Sequence, residues 1–548
     1  SSQSIHRNTA PSRRGCDGDI LLADPAGRVT RYSTRIKWTA GVIYASSMGP
    51  KFVTISKWKP GLILFFGLTS VLFGALLLLY WSELLQYIIY KKLALTPNSY
   101  SFSLWEKTPL PMFTKFYFFN WTNPDEFMLS SAEPTFEEVG PYTYSEVHEK
   151  VNVLWFDNNH TVTYMQKRIW KFEPELSSGS EDDVIRTLNI PLVAASSVIK
   201  DWDSTVATVG FNFALRRLRE NISMIATAGE LLFKGIKTPL LSIASTLPQG
   251  AVPIPHDKFG WFYQRNNSAY FDGVFNMATG VGDILNIGKL YEWNYTEQNW
   301  FYLDHCGKVG GSAGELFPPH QERNNISLYV TDICRGITLS YDKDTEIHGV
   351  KGYRYTADGS LFGTPPDEPD NWCFCLQRGC MKSGVLDVSS CRLNTPSYVS
   401  YPHFLFADPY YTSYIHGMEP DKEKHETLIE LEPRTGVPLR VKARFQINML
   451  LQRVPNLRIF ANIQELMIPV IWFETSAEMD AAMAKQLKLL EAAPEVFYVV
   501  GSILTSIGTL LAVLGLVWAC LCSNSETTPQ QVSKEKSSVE MYKFKVQE

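Results

Sequence analysis

The sequence predicts a membrane-anchored α+β protein, in which two transmembrane helices flank one large domain of mostly antiparallel strands with a helical insertion. Three observations carry this prediction. Residues 60–82 and 496–525 contain no charged side chain. Between these runs, short aromatic and β-branched segments alternate with near period 2, the signature of strands. Residues 181–245 switch to apolar positions at helical spacing. The 548-residue chain is 45% hydrophobic and 20% charged, which excludes a disordered, collagen-like or fibrous protein. Its net charge of −5 leaves no basic footprint for nucleic acid.

Residues 1–59 carry ten Lys or Arg against three Asp. They read as a cytosolic segment, largely disordered, with Ser, Arg and Gly abundant over residues 1–47 and the first Met at Met48. The first span is residues 60–81. Its core, GLILFFGLTSVLFGALLLLYW (61–81), is long enough for about 30 Å of hydrocarbon. It is longer than a signal-peptide core, and no A-x-A-like site follows it. The second span is residues 496–522, and a tail of four basic and four acidic residues, 523–548, follows. Lys51, Lys57 and Lys59 precede the first span and outweigh Lys91 and Lys92 beyond it. That bias puts both termini in the cytosol and residues 82–495, with a net charge of −12, outside.

Two further signals agree with an outside location. All six N-x-S/T acceptors, Asn120, Asn159, Asn221, Asn266, Asn294 and Asn325, fall between the spans. So do six cysteines within 86 residues: Cys306, Cys334, Cys373, Cys375, Cys380 and Cys391. In an oxidising compartment these read as three disulfides with fifteen conceivable pairings. A metal site is the rival reading, and it lacks the paired C-x₂-C spacing of zinc. Cys520 and Cys522, at the inner edge of the second span, are candidates for S-acylation.

Within the large domain, residues 82–95 continue the first span as a projecting helix. Strands are expected at 115–121, 151–156, 161–172, 260–265, 327–332, 352–357, 426–433 and 439–451. Signals of catalysis are poor. Gly310-Gly311-Ser312-Ala313-Gly314 fits G-x-S-x-G but lacks the strand-turn-helix setting of a nucleophile elbow. His416 and His425, nine apart, form no helical metal pair and read as surface histidines. The expectation is no enzyme, no catalytic residue, no metal and no cofactor.

Ten stretches in order carry a family resemblance, among them NWTNPDEFM (120–128), EEVGPYTYSE (137–146), GELLFKGIKTPLL (229–241), DHCGKVGGSAGELFPPH (304–320), TDICRGITLSY (331–341), PDNWCFC (369–375), PHFLFADP (402–409) and HETLIELEPRTGVPL (425–439). With two flanking spans, the chain resembles the class B scavenger receptors, the family of the fatty-acid translocase, the high-density-lipoprotein receptor and a lysosomal integral membrane protein. An invertebrate epithelial-membrane-protein-like member is the branch it looks like. The resemblance runs over residues 80–475 and omits residues 1–47. It implies a large antiparallel β-barrel with an apical helical bundle and an internal hydrophobic tunnel opening toward the bilayer. It also implies the pairing Cys306–Cys373, Cys334–Cys391 and Cys375–Cys380. A basic apical cluster that attracts anionic ligands maps to Arg217 and Arg219, with Arg216 beside them, and the Asn221 acceptor adjoins it.

The function so implied is a plasma-membrane receptor that binds lipids or lipid-carrying particles and passes hydrophobic ligand through the tunnel to the membrane. Fatty acids, sterols, carotenoids and phospholipids all fit an apolar tunnel, and lipoprotein particles or anionic surfaces fit the basic cluster; homo-oligomers are open. Two alternatives stand beside it: a phagocytic or adhesion receptor for apoptotic cells or microbes, and a chemosensory lipid co-receptor. An endosomal or lysosomal location is disfavoured, because the tail contains no Leu for an acidic-dileucine signal.

Overall fold

The computed structural model describes residues 19–23, 29–33, 58–130, 132–245, 256–376 and 379–524. The helices are α1 (Trp58–Leu93), α2 (Tyr100–Glu106), α3 (Pro124–Ser130), α4 (Ile190–Trp202), α5 (Thr205–Leu218), α6 (Pro239–Ala244), α7 (Lys422–His425) and α8 (Ala481–Asn524). The strands are β1 (Asp19–Ala23), β2 (Val29–Ser33), β3 (Met112–Trp121), β4 (Phe136–Phe156), β5 (Thr161–Phe172), β6 (Val184–Leu188), β7 (Ser223–Thr227), β8 (Val274–Ala278), β9 (Leu290–Trp293), β10 (Asn325–Val330), β11 (Arg335–Ile347), β12 (Val350–Thr356), β13 (Leu386–Asp387), β14 (Ser397–Ser400), β15 (Leu428–Leu431), β16 (Pro438–Leu451) and β17 (Leu466–Glu478). The chain divides into two compact units, residues 81–495 and the two spans with their termini.

In the second of these units, α1 and α8 include the two charge-free runs and have mean hydropathies of 2.6 and 2.1 over their most apolar windows. They touch through glycines seven apart. A Cβ built at Gly74 would lie 2.8 Å from Thr505 N, and one at Gly508 would lie 2.7 Å from Val71 N. Only hydrogen side chains allow backbones to approach this closely, the small-residue packing expected where no hydrophobic effect drives helices together. Within the segment expected to be disordered, β1 and β2 pair antiparallel. Their DILLA and VTRYS sequences are rich in strand formers. The rest of residues 1–57, and the tail 525–548, lie outside the described residues.

In the 81–495 unit the strands form one antiparallel sheet of order β10-β11-β12-β15-β16-β17-β3-β4-β5-β8-β9, with β13 and β14 attached to β16. The sheet curls until its edge strands nearly meet, and residues 311–313 bridge the gap. Leu290 N–H donates to Gly311 O (2.8 Å), Ala313 N–H to Gly288 O (3.1 Å), Ser312 N–H to Ser327 O (2.8 Å) and Tyr329 N–H to Ser312 O (2.9 Å). Gly311 has φ +82°, and a Cβ there would lie 2.7 Å from the Ser327 carbonyl. The G-x-S-x-G segment therefore closes the barrel, and the Ser312 hydroxyl donates to Leu316 O (2.6 Å).

The helical insertion is real but interrupted. The β6–β7 ladder, Val184–Thr227 to Leu188–Ser223, frames α4 and α5. Alternation places the insertion. On β17, Ile471 and Phe473 belong to the core inside the barrel. Leu466, Ile468, Val470 and Trp472 pack with Leu192, Val193, Leu215 and Leu240 of α4–α6. The helices thus cover the outer face of the barrel at this end of β17. At its other end, Met479 packs with Leu439 and with Ala484 of α8. Because β17 is buried on both faces over Leu466–Glu474, it shows no period-2 pattern and goes unread in the sequence. The strand expected at 260–265 is a turn instead. Trp261 and Phe262 N–H donate to Leu231 O and Leu232 O, and the aromatic side chains plug the core from a loop.

Candidate functional site

Inside the barrel is a cavity of about 690 Å³, within the range of lipid- or drug-sized sites. Most of its wall is apolar, supplied by residues such as Leu104, Phe275, Leu339, Ile429, Phe445 and Phe473. Ile88, Ile89 and Leu93 of α1 and Leu487 and Leu490 of α8 also line it; they lie next in sequence to the two charge-free runs.

One wall is polar. On β4, Glu146, His148 and Lys150 alternate onto one face, and on β5 Tyr164, Gln166 and Arg168 do the same, with His148 opposite Arg168 and Lys150 opposite Gln166. Barrel closure brings Glu315 against this strip. His148 Nε2 meets Glu146 Oε1 and its Nδ1 meets Glu315 Oε1, each at 2.8 Å. Lys150 Nζ donates to Glu315 Oε2. Arg168 Nε donates to Glu146 Oε1 at 2.6 Å and its Nη1 to Asp332 Oδ2 at 3.3 Å. Asp332 also receives Arg265 at 2.7 Å and Arg392 at 3.8 Å, and Arg265 reaches Asp272 at 3.2 Å.

The titrations follow from burial opposed by partners. Burial pushes Glu315 up, but Lys150 and His148 outweigh it and pull the carboxyl down to about 2. Burial likewise raises Glu146, yet Arg168 and His148 hold it well below the carboxylate range. Burial disfavours imidazolium at His148, but Glu146 and Glu315 raise its pKa above the ordinary histidine value. Tyr164 is different. Its ring stacks on Phe275 (5.2 Å) and meets Trp105 edge-on (4.7 Å), and its hydroxyl has no hydrogen-bond partner among the described residues. The Gln166 amide has none either.

Sequence reasoning singled out none of the wall residues. Their signal was the even spacing of polar residues inside the strand TVTYMQKRIWKF, legible only once that face was known to point inward.

Arg216 and Arg217 end α5, and Arg219 caps it with φ +57°. All three are exposed and make no ion pair among the described residues; Glu220 instead accepts from the Asn189 amide at 2.9 Å. Val206, Val209 and Phe213, exposed at 83%, 64% and 72%, share a helical face with Arg217.

The cysteines lie in three pairs at bonding distance, Cys306–Cys373, Cys334–Cys391 and Cys375–Cys380. This is the pairing that the resemblance implies. His305 approaches Cys306 and Cys373, but the two sulfurs are bonded to each other, which leaves no metal ligand set there.

Asn159, Asn221, Asn266, Asn294 and Asn325 are exposed, whereas Asn120 is half-buried on β3 with its amide oxygen accepting Arg186 N–H at 2.8 Å. Cys520 is an exposed free thiol on α8, and the Cys522 side chain lies outside the described residues. His416 is exposed beside Glu133, but His425 is not a surface residue. It is buried and stacks on His403 at 4.5 Å, because Asp421 N–H donates to its Nδ1 and folds the α7 turn inward.

This architecture, one antiparallel barrel with an apolar interior and, towards each end of the chain, a helix long and apolar enough to cross a bilayer, is that of a two-span membrane protein. The model of the CD36 family matches residues 65–519. The chain is 34% identical over 470 residues to Protein peste of Drosophila melanogaster, covering 85% of this chain and 82% of that protein. It is 28% identical over 485 residues to Scavenger receptor class B member 1 of Bos taurus (87% and 93% covered) and 34% identical over 404 residues to Lysosome membrane protein 2 of Mus musculus (73% and 82%). The chain belongs to the CD36 family.

Proposed function

We propose that the protein is a receptor, not an enzyme, that binds lipids or lipid-carrying particles and lets hydrophobic ligand descend through the barrel to the membrane. The observation that carries this is the apolar cavity, lined by residues that continue both spans in sequence. Each buried CH₂ is worth about 0.8 kcal/mol, so an alkyl chain or fused ring system gains strongly there without covalent chemistry. Fatty acids, sterols, carotenoids and phospholipids are the ligand classes. Residues 82–495 face outside and both termini lie in the cytosol, supported by the lysine bias and the acceptor distribution. We place the protein in the plasma membrane. The exposed apolar stripe of α5, ending in Arg217 and joined by Arg216 and Arg219, supports docking of an anionic particle surface. The exposed acceptor asparagines carry N-glycans, and Cys520 and Cys522 are acylated.

Uptake of labelled lipids by cells expressing the protein tests this reading. Ala443→Trp and Ala477→Trp fill the cavity from adjacent strands. The parent should raise uptake and the filled variant, present at the surface, should not. Equal uptake by both would refute passage through the barrel.

A further inference from the structure

The charged wall raises a question the apolar lining does not: which head group sits beside it. Lys150 and Arg168 are spent on Glu315, Glu146 and Asp332. His148 lies between two carboxylates. Of the basic residues on the lining, Lys92 alone has no carboxylate partner among the described residues, and it is exposed. What the wall still offers is neutral: the Tyr164 hydroxyl and the Gln166 amide, two residues apart on the inward face of β5. Both are donor and acceptor. Tyr164 is buried, and burial, with Glu315 adding to it, raises its pKa and keeps its hydroxyl protonated. A carboxylate placed there finds no cation free of a carboxylate partner on this wall, while a hydroxyl can both donate to Gln166 and accept from Tyr164. Both groups line the cavity without a partner among the described residues, so a ligand hydroxyl there finds a donor and an acceptor ready to pair.

We propose that Tyr164 and Gln166 form a hydroxyl-reading subsite, so that the cavity selects neutral lipids with a hydroxyl head over lipids that carry a carboxylate. The tail then runs along the apolar wall, with Trp105 and Phe275 flanking the head. The inference rests on the lipid-cavity reading above and names the ligand class within it.

The test uses the full chain in detergent and three labelled probes of equal length: 1-hexadecanol, its methyl ether and hexadecanoate at pH 7.5. The alcohol should bind about tenfold more tightly than the other two, the worth of one hydrogen bond to a buried group. Tyr164→Phe, which keeps the stacking ring, and Gln166→Leu should each reduce alcohol binding to the level of the ether, with unchanged melting temperature. Hexadecanoate binding as well as the alcohol would overturn the subsite, and loss of that binding in Lys92→Met would assign the head to Lys92 instead. Equal binding of all three probes, unaffected by either β5 substitution, would overturn the subsite while leaving the cavity reading intact. If no probe binds, both fall.

Discussion

Two groups of arginines, similar as sequence, do opposite things. Arg216, Arg217 and Arg219 at the end of α5 are exposed and have no carboxylate partner among the described residues. Arg168, Arg265 and Arg392 converge on Asp332, and Arg168 also holds Glu146, whose side chain is 0% exposed. The first group is available to a partner and contributes little to the fold, since solvated charges interact weakly. The second is internal scaffolding, and its charges are tolerable only because each has a counter-charge within ion-pair distance. A run such as RRLRE reads as a binding surface because it is local. The Arg168–Asp332 pair spans 164 residues of sequence and has no local signature.

The contrast can be broken from the buried side first. Arg168→Met leaves Glu146 and Asp332 short of a cation in the barrel wall, and should cost about 3–5 kcal/mol, seen as a large fall in the melting temperature of the detergent-solubilised protein. A loss under about 1 kcal/mol would mean that water reaches the wall and the scaffold reading fails.

Acid should act next, chiefly on buried groups. His425 is lowered to about 4 by burial first and then by His403, against Glu138 and Asp421. A histidine whose folded pKa lies below its unfolded 6.5 takes up a proton on unfolding, so stability is full above pH about 6.5 and is lost as pH falls toward 4. Glu146, Glu315 and Asp332, all depressed, add losses below pH about 4.5. His148, raised, runs the other way: its contribution is complete below pH 6.5 and fades as pH climbs through its folded value. The melting temperature should therefore fall from pH 6.5 to 4, and His425→Asn should flatten that interval. A slope unchanged in the variant would remove His425 as the cause.

The smallest effect on stability belongs to α5. Replacing Arg216, Arg217 and Arg219 by Glu should leave the melting temperature within the change typical of surface sites, about 0.5 kcal/mol. Binding of anionic vesicles should drop, and salt should weaken the parent's binding, with charges screened over about 8 Å at physiological ionic strength. Undiminished vesicle binding by a well-expressed variant would show that the arginines are only solvated helix charges.

Legibility in the sequence followed the range of the interactions involved. The charge-free runs and the strand TVTYMQKRIWKF are local patterns, and α1, α8 and β5 appear where those patterns stand. The doubly buried β17 lost its alternation, and the aromatic loop around Phe262 imitated a strand because aromatic residues serve cores in any backbone conformation. The cavity wall was unreadable for a third reason. Tyr164, Gln166 and Glu315 become one site only through barrel closure at Ser312, which sets Glu315 against His148 and Lys150, 167 and 165 residues earlier in the chain.

The pairing of β3 with β17 has a consequence for biosynthesis. Phe118 lies opposite Ile471, about 350 residues later in the chain. At translation rates of about 5–20 residues per second, β3 waits on the order of tens of seconds before its partner emerges. Throughout that delay one edge of β3, with its run of aromatic side chains, is open to any other extended chain. High contact order makes the last step slow as well. A chain stopped between β16 and β17 would display both β3 and β16 as bare edges, so nascent and truncated copies stay open to wrong pairing until the final strand arrives.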